Sequence, residues 1–62
     1  MRFIISSGKS IVSQIADSIV KLTTNTEEIP LSFPTIGEAM VAADKVNSLL
    51  GTHSFKVLCL SL

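Results

Sequence analysis

The chain has little of what usually holds a small domain together. Among its 62 residues Cys59 is the single cysteine and His53 the single histidine, which excludes an internal disulfide and a four-ligand structural zinc site. Residues 1–62 are expected to form a single domain, because a chain of this length has no room for a second one. Such a chain buries only about 60% of the surface that it exposes when unfolded, so its stability should be marginal. Unusually good packing or self-association must therefore stabilise it.

Charge is also scarce. Charged residues make up 16% of the chain, against about 25% in an average domain, and five basic residues balance five acidic ones. Their dispersal gives no electrostatic footprint for nucleic acid. No apolar run approaches the roughly 18 residues of a membrane span, and the run Phe3–Ile5 is too short for a secretion signal. With one free thiol, this favours a cytoplasmic protein without nucleic-acid or membrane partners.

What the chain does have is a well-marked helix from Thr35 to Gly51. Thr35 and Glu38 have the spacing of a capping box, and Gly51 stands where a left-handed residue commonly ends a helix. Between them the apolar residues recur every three or four positions and predict one buried stripe: Ile36, Ala39, Met40, Ala43, Val46 and Leu50.

The other segments predict one more helix and three strands. Residues 2–6 are β-branched and aromatic and predict a first strand. From residue 10 to about 24, apolar residues recur at helical spacing and predict a first helix. Residues 29–33 predict a short edge strand, because Pro30 cannot donate to a sheet. Residues 54–62 predict a last strand that is apolar on both faces, as in an interior strand or a dimer seam.

This order, β-α-β-α-β, predicts a small α/β domain with a three-stranded sheet and two helices. Right-handed connections between parallel strands would give the strand order 2-1-3. If the proline-bearing strand pairs antiparallel, or does not form, the architecture becomes a small α+β sandwich.

The predicted first helix carries more apolar surface than one core requires. Its apolar residues form two stripes side by side. Together these stripes cover about half of the circumference of the helix, which is wider than the roughly 100° that faces a core. The second stripe is either wedged into the chain's own fold or faces a partner. Taken with the last strand, it predicts an interface for a protein partner or a homo-oligomer, in particular a homodimer, formed by Val12, Ala16, Val20, Leu58, Leu60 and Leu62.

The turn Gly8-Lys9-Ser10 follows a predicted strand and opens the predicted first helix. A helix N-terminus can hold an anion, although Phe3 stands where a phosphate-binding loop needs glycine. A plain turn is one interpretation; a small-molecule or nucleotide-sequestering protein is the alternative. No pair of residues is placed for acid–base or nucleophilic catalysis, so we expect no enzyme, no catalytic residue, no metal site and no cofactor.

Residues 33–39, FPTIGEA, followed by Ala42 and Ala43, are similar to the F-x-T-x-x-E-A…A segment of very small phage-encoded α/β proteins. That group includes anti-CRISPR and other anti-defence inhibitors. The resemblance implies a non-enzymatic inhibitor that binds and occludes a host protein in the host cytoplasm, and it carries over no catalytic residue. Inhibitors that mimic DNA are strongly acidic, whereas this chain is neutral. The resemblance therefore implies inhibition by shape and apolar contact, or by sequestering a small ligand.

Overall fold

The computed structural model describes residues 2–24 and 30–60. They form four strands and one helix: β1 (Arg2–Ser6), β2 (Ile11–Ala16), β3 (Ile19–Thr23), α1 (Ile36–Leu50) and β4 (Lys56–Leu60). The strands make one sheet in the order β3-β2-β1-β4, and each neighbouring pair is antiparallel. The domain is therefore α+β. The predicted three-stranded sheet with two helices is wrong, and so is the parallel strand order.

The predicted first helix is a β-hairpin, made of β2, a turn at Asp17 and Ser18, and β3. The turn has φ 54° at Asp17, in the left-handed region that tight hairpin turns require. The isoleucine and valine side chains on both sides of the turn favour strands over helices. Local propensity therefore overrides the apparent helical spacing in this segment.

A β-bulge explains why the hairpin imitates a helix in the sequence. The register between β2 and β3 shifts between Val12 and Gln14, so that Ser13 is an extra residue. As a result Val12 and Ile15 both pack on the core, although they are three residues apart. Regular strand alternation would separate them by an even number.

The predicted helix from Thr35 to Gly51 is confirmed as α1. The Thr35 hydroxyl accepts a hydrogen bond from the backbone N–H of Glu38 at 3.3 Å. Gly51 ends the helix at φ 65°, and its N–H donates to the carbonyl of Asn47. Three residues of the predicted stripe are buried against the sheet: Ala39, Ala43 and Val46. The helix contacts β1, β4 and β3. The core between helix and sheet is the cluster Ile5, Val12, Ala43, Val46 and Phe55.

The predicted proline-bearing strand is reduced to a single antiparallel bridge, and it does not lie at an edge. Residues 31–33 fill the space between β1 and β2, which pair directly only beside their turn. The N–H of Leu31 donates to the carbonyl of Val12 at 3.2 Å, and Phe33 exchanges hydrogen bonds of 3.0 and 2.8 Å with Phe3. The start of the predicted strand, at Ile29, lies outside the described residues.

The last strand is shorter than predicted and lies at an edge of the sheet. β4 pairs with β1 in five consecutive positions, from Lys56 opposite Ser6 to Leu60 opposite Arg2. It has no second strand neighbour within the described part of the chain. The interpretation of an interior strand is therefore wrong; that of a dimer seam stays a prediction.

Candidate protein-interaction surface

The six predicted interface residues do not form one surface. Val12 is 0% exposed and belongs to the core, so it is not available to a partner. Val20 is half-buried and packs against the same core. Ala16 is exposed, but it lies on β2, whereas the C-terminal members of the set lie on the other side of β1.

The C-terminal members lie on or beyond β4. Leu58 is exposed and Leu60 is half-buried. Both point to the sheet face opposite α1, because they alternate with Val57, which packs on the core. Leu62 lies outside the described residues. Of the predicted interface, β4 therefore retains an accessible part.

The candidate anion site lies in the turn between β1 and β2, and Ser10 does not begin a helix. The N–H of Gly8 donates to the Ser6 hydroxyl at 3.0 Å, and the N–H of Ser10 donates to the Ser7 hydroxyl at 3.2 Å. Lys9 is exposed. Two of the amides that would hold an anion are thus already bonded within the turn, and nothing in its geometry favours the sequestering alternative.

Within residues 2–24 and 30–60, the outer edge of β4 presents backbone groups without a partner at alternate residues. Phe3 directs its N–H and C=O to Phe33, so its pair with Cys59 across β1 and β4 is of the non-hydrogen-bonded kind. The N–H and C=O of Cys59 therefore point away from β1, and by alternation so do those of Val57. These are the groups that an additional strand would bind.

Asn47 covers the beginning of this edge. Its side-chain amide donates to the carbonyl of Phe55 at 3.0 Å, and its side-chain oxygen accepts from the Phe55 N–H at 3.0 Å. Phe55 continues the alternation of Val57 and Cys59, so the amide takes the place that a neighbouring strand would occupy. Asn47 therefore blocks strand pairing at Phe55, and the part of the edge that is open to another strand begins at Val57.

One exposed flank of α1 lies on the same side of the domain as this edge. Ile36 and Met40 lie on the helical stripe of Asn47, at spacings of four and seven residues. The sequence placed Ile36 and Met40 on the buried stripe, but they are 55% and 56% exposed. Because the Asn47 side chain reaches Phe55 just before β4, this stripe lies on the flank of α1 nearer to β4. We call Ile36, Met40, Val57 and Cys59 the edge surface.

A second apolar surface lies where residues 33–34 lead into α1. A hollow of about 510 Å³ is lined by Phe33, Pro34, Gly37, Glu38 and Val41. Val41 is 71% exposed, the highest fraction among the large exposed apolar residues. This junction hollow extends from Phe33, which pairs with β1, to Val41, which lies about 160° around the helix from buried Ala39.

A third concave region is polar and lies at the C-terminal end of α1. It has a volume of about 500 Å³ and is lined by Asp44, Asn47, Ser48, Gly51, Thr52 and His53. Among residues 2–24 and 30–60 there is no group of three side chains that could hold a metal ion. This region therefore does not define a metal centre in the described part of the chain.

Sequence reasoning missed most of the edge surface. In the sequence Cys59 alternates with Phe55 and Val57, which predicts a core residue, whereas the thiol is exposed. Asn47 is a polar residue within the apolar stripe of α1, a position that predicts hydrogen bonds to carbonyls near the helix end. The structure shows instead that its side chain binds one backbone residue of the following segment through both its donor and its acceptor.

Comparison of the chain with protein-family models, with curated proteins and with solved structures found no match. No helix within the described ranges has the length and apolarity needed to cross a bilayer. The function is therefore argued from the two apolar surfaces.

Proposed function

We propose that this chain is a non-enzymatic protein-interaction module that associates with itself and covers the surface of a protein partner. The proposal is carried by the apolar side chains that two well-formed elements leave exposed. On α1, Ile36 and Met40 of the edge surface and Val41 of the junction hollow are more than half exposed, and on β4 Cys59 of the edge surface is exposed. Exposed apolar surfaces of this kind are typical of protein–protein contact sites.

The two apolar surfaces have different roles in this proposal. The edge surface serves self-association, because a strand edge binds another strand through its backbone. The junction hollow serves the partner. Glu38 lines it beside Phe33 and Val41, so it suits an apolar side chain that is followed or preceded by a basic one. The neutral chain favours recognition by shape over long-range steering.

Within this class we propose an inhibitor that acts by occlusion in the cytoplasm. All the lining residues of the junction hollow except Val41 belong to residues 33–39, the segment that is similar to phage-encoded inhibitors. Cys59 is a free, exposed thiol, a state that a reducing compartment preserves. An inhibitor of this kind needs no catalytic group, since covering a functional surface of the partner is sufficient.

The test compares Val41→Lys with Ser48→Lys, which adds the same charged side chain elsewhere on α1. Proteins captured by the tagged wild-type chain are purified, and their binding is measured directly by calorimetry. We expect Val41→Lys to raise the dissociation constant on the order of tenfold or more, and Ser48→Lys to leave it nearly unchanged. Equal binding by all three chains, or no captured protein that binds the purified chain, contradicts the proposal.

A further inference from the structure

We propose that β4 pairs antiparallel with β4 of a second copy about Leu58, joining the two sheets into one of eight strands. This inference rests on the proposed function, because it specifies how the module associates with itself. In this register, Val57 of each copy lies opposite Cys59 of the other. Their outward N–H and C=O groups form four hydrogen bonds across the two-fold axis.

The two edges of the sheet differ in how well they are protected against pairing. β3 carries Lys21 at its centre, and the bulge at Ser13 lies in the strand beside it. Charged side chains and bulges are the usual protection of an edge strand. β4 has no charge or proline after Lys56, and its register with β1 is unbroken over five residues. The unprotected edge is therefore β4.

The position of Asn47 limits the registers that a second copy can adopt. Because its amide occupies Phe55, an incoming strand can bind only the outward groups from Val57 onward. Pairing about Leu58 uses Val57 and Cys59 of both copies. It also places Lys56 opposite Leu60 of the second copy, so that no like charges meet. The neutral net charge of the chain adds no general repulsion between copies.

The flank of α1 supplies the area that the strand alone lacks. A strand of five residues is about 17 Å long, whereas a stable interface buries about 800 Å² on each partner. Ile36 and Met40 lie on the flank of α1 nearer to β4 in both copies, so the two-fold axis brings these flanks together on the face of the sheet that carries Val57 and Cys59. The apolar side chains that a single copy leaves exposed are then covered by their counterparts.

Sedimentation equilibrium of the purified chain tests the proposal, with Val57→Pro as the first variant. The N–H of Val57 points away from β1, so proline removes an outward donor while leaving the β1–β4 ladder intact. We expect a wild-type dimer and a Val57→Pro monomer with the circular dichroism spectrum of the wild type. A wild-type chain that stays monomeric at several hundred micromolar overturns the proposal.

Met40→Lys is the second variant and does not depend on the backbone tolerating proline. Its matched control is Val41→Lys, one residue along the same helix and about 100° around it, farther from the sheet. Both side chains are exposed, so both variants should fold. We expect Met40→Lys to weaken the dimer on the order of tenfold or more and Val41→Lys to leave it unchanged. A dimer that is insensitive to Met40→Lys overturns the proposal.

Cysteine cross-linking tests the register. Leu58 and its counterpart form a non-hydrogen-bonded pair, with Cα atoms about 4.5 Å apart, within reach of a disulfide. Native Cys59 and its counterpart are diagonal neighbours, roughly 7–8 Å apart. The double variant Leu58→Cys, Cys59→Ser should therefore oxidise to a covalent dimer much faster than the wild type. If the wild type instead oxidises to a covalent dimer faster than the double variant, the register about Leu58 is overturned.

These measurements need only the purified chain, so they separate this inference from the proposed function. A dimer that loses partner binding with Val41→Lys but keeps it with Met40→Lys supports both assignments. Partner binding by a chain that never dimerises overturns the β4 seam and leaves the partner site standing. A β4 dimer that binds no other protein supports the β4 seam and overturns the partner site.

Discussion

The side-chain amide of Asn47 exchanges two hydrogen bonds of 3.0 Å with the backbone N–H and C=O of Phe55. The backbone carbonyl of Asn47 also accepts from the N–H groups of Gly51 and Thr52, which turns the chain out of α1. One residue thus ends the helix, fixes the start of β4 and covers the first outward position of the β4 edge.

Asn47→Ala should lower the free energy of unfolding by about 2 kcal/mol, because it leaves a part-buried donor and acceptor of Phe55 without their partner. Asn47→Asp keeps the acceptor for the Phe55 N–H but places a carboxylate oxygen against the Phe55 carbonyl, so a loss at least as large is expected. Urea denaturation measures both. A loss of less than about 0.5 kcal/mol for the alanine variant would show that the clamp contributes little.

Val12→Ala should lower the free energy of unfolding by about 2 kcal/mol, because its side chain is fully buried in the core. Ile19→Ala is the control on the adjacent strand. Its side chain is 63% exposed, so a change within about 0.5 kcal/mol is expected. If Val12 instead formed an interface, its replacement would change the dimer dissociation constant more than the stability of the monomer. Denaturation at several protein concentrations distinguishes the two.

Asp17→Gly tests the hairpin directly. At φ 54°, aspartate is in a region that glycine adopts without steric cost, so stability should stay the same or rise by up to about 1 kcal/mol. In a helix interior the same change would cost roughly 0.3 kcal/mol, because aspartate ranks only just above glycine in helix propensity. Gln14→Gly, within β2, should lower stability by about 0.5–1 kcal/mol. Thermal unfolding gives the sign, and a clear loss for Asp17→Gly would contradict the turn.

Gly51→Ala should lower the free energy of unfolding by about 1 kcal/mol, because Gly51 has φ 65° and an alanine there is strained even though space is open around it. Gly37→Ala is the matched control in the first turn of α1, where no atom obstructs an added methyl group. It should raise stability by up to about 1 kcal/mol. Opposite signs in the same urea experiment are the expected result.

The helix was predictable from the sequence because its signals are local. Thr35 and Gly51 mark the two ends, and the spacing of Ala39, Ala43 and Val46 marks the buried face. Those features depend on residues within a few positions of one another. Strand β1 was predicted with its observed bounds for the same reason, since Arg2–Ser6 is short, β-branched and closed by a turn.

The hairpin was not predictable from the sequence, because the spacing of its apolar residues depends on how β2 and β3 pair. The bulge at Ser13 changes the alternation of β2, and the turn at Asp17 resets it in β3. The resulting separations in sequence are those of a helix, and only the β-branched side chains argued otherwise. The edge surface was missed for a related reason. Whether Met40 is covered depends on where the sheet ends beneath the helix, which no local pattern records.

The bridge between Phe3 and Phe33 has a consequence for how the domain is made. β1 lies in the middle of the sheet, and apart from its pairing with β2 beside their turn, its partners, residues 31–33 and β4, come from much later in the chain. On a ribosome, β1 therefore waits with its backbone largely unpaired until residue 60 has left the exit tunnel. Contacts so distant in sequence slow folding, so nascent chains should be vulnerable to strand exchange until synthesis passes β4.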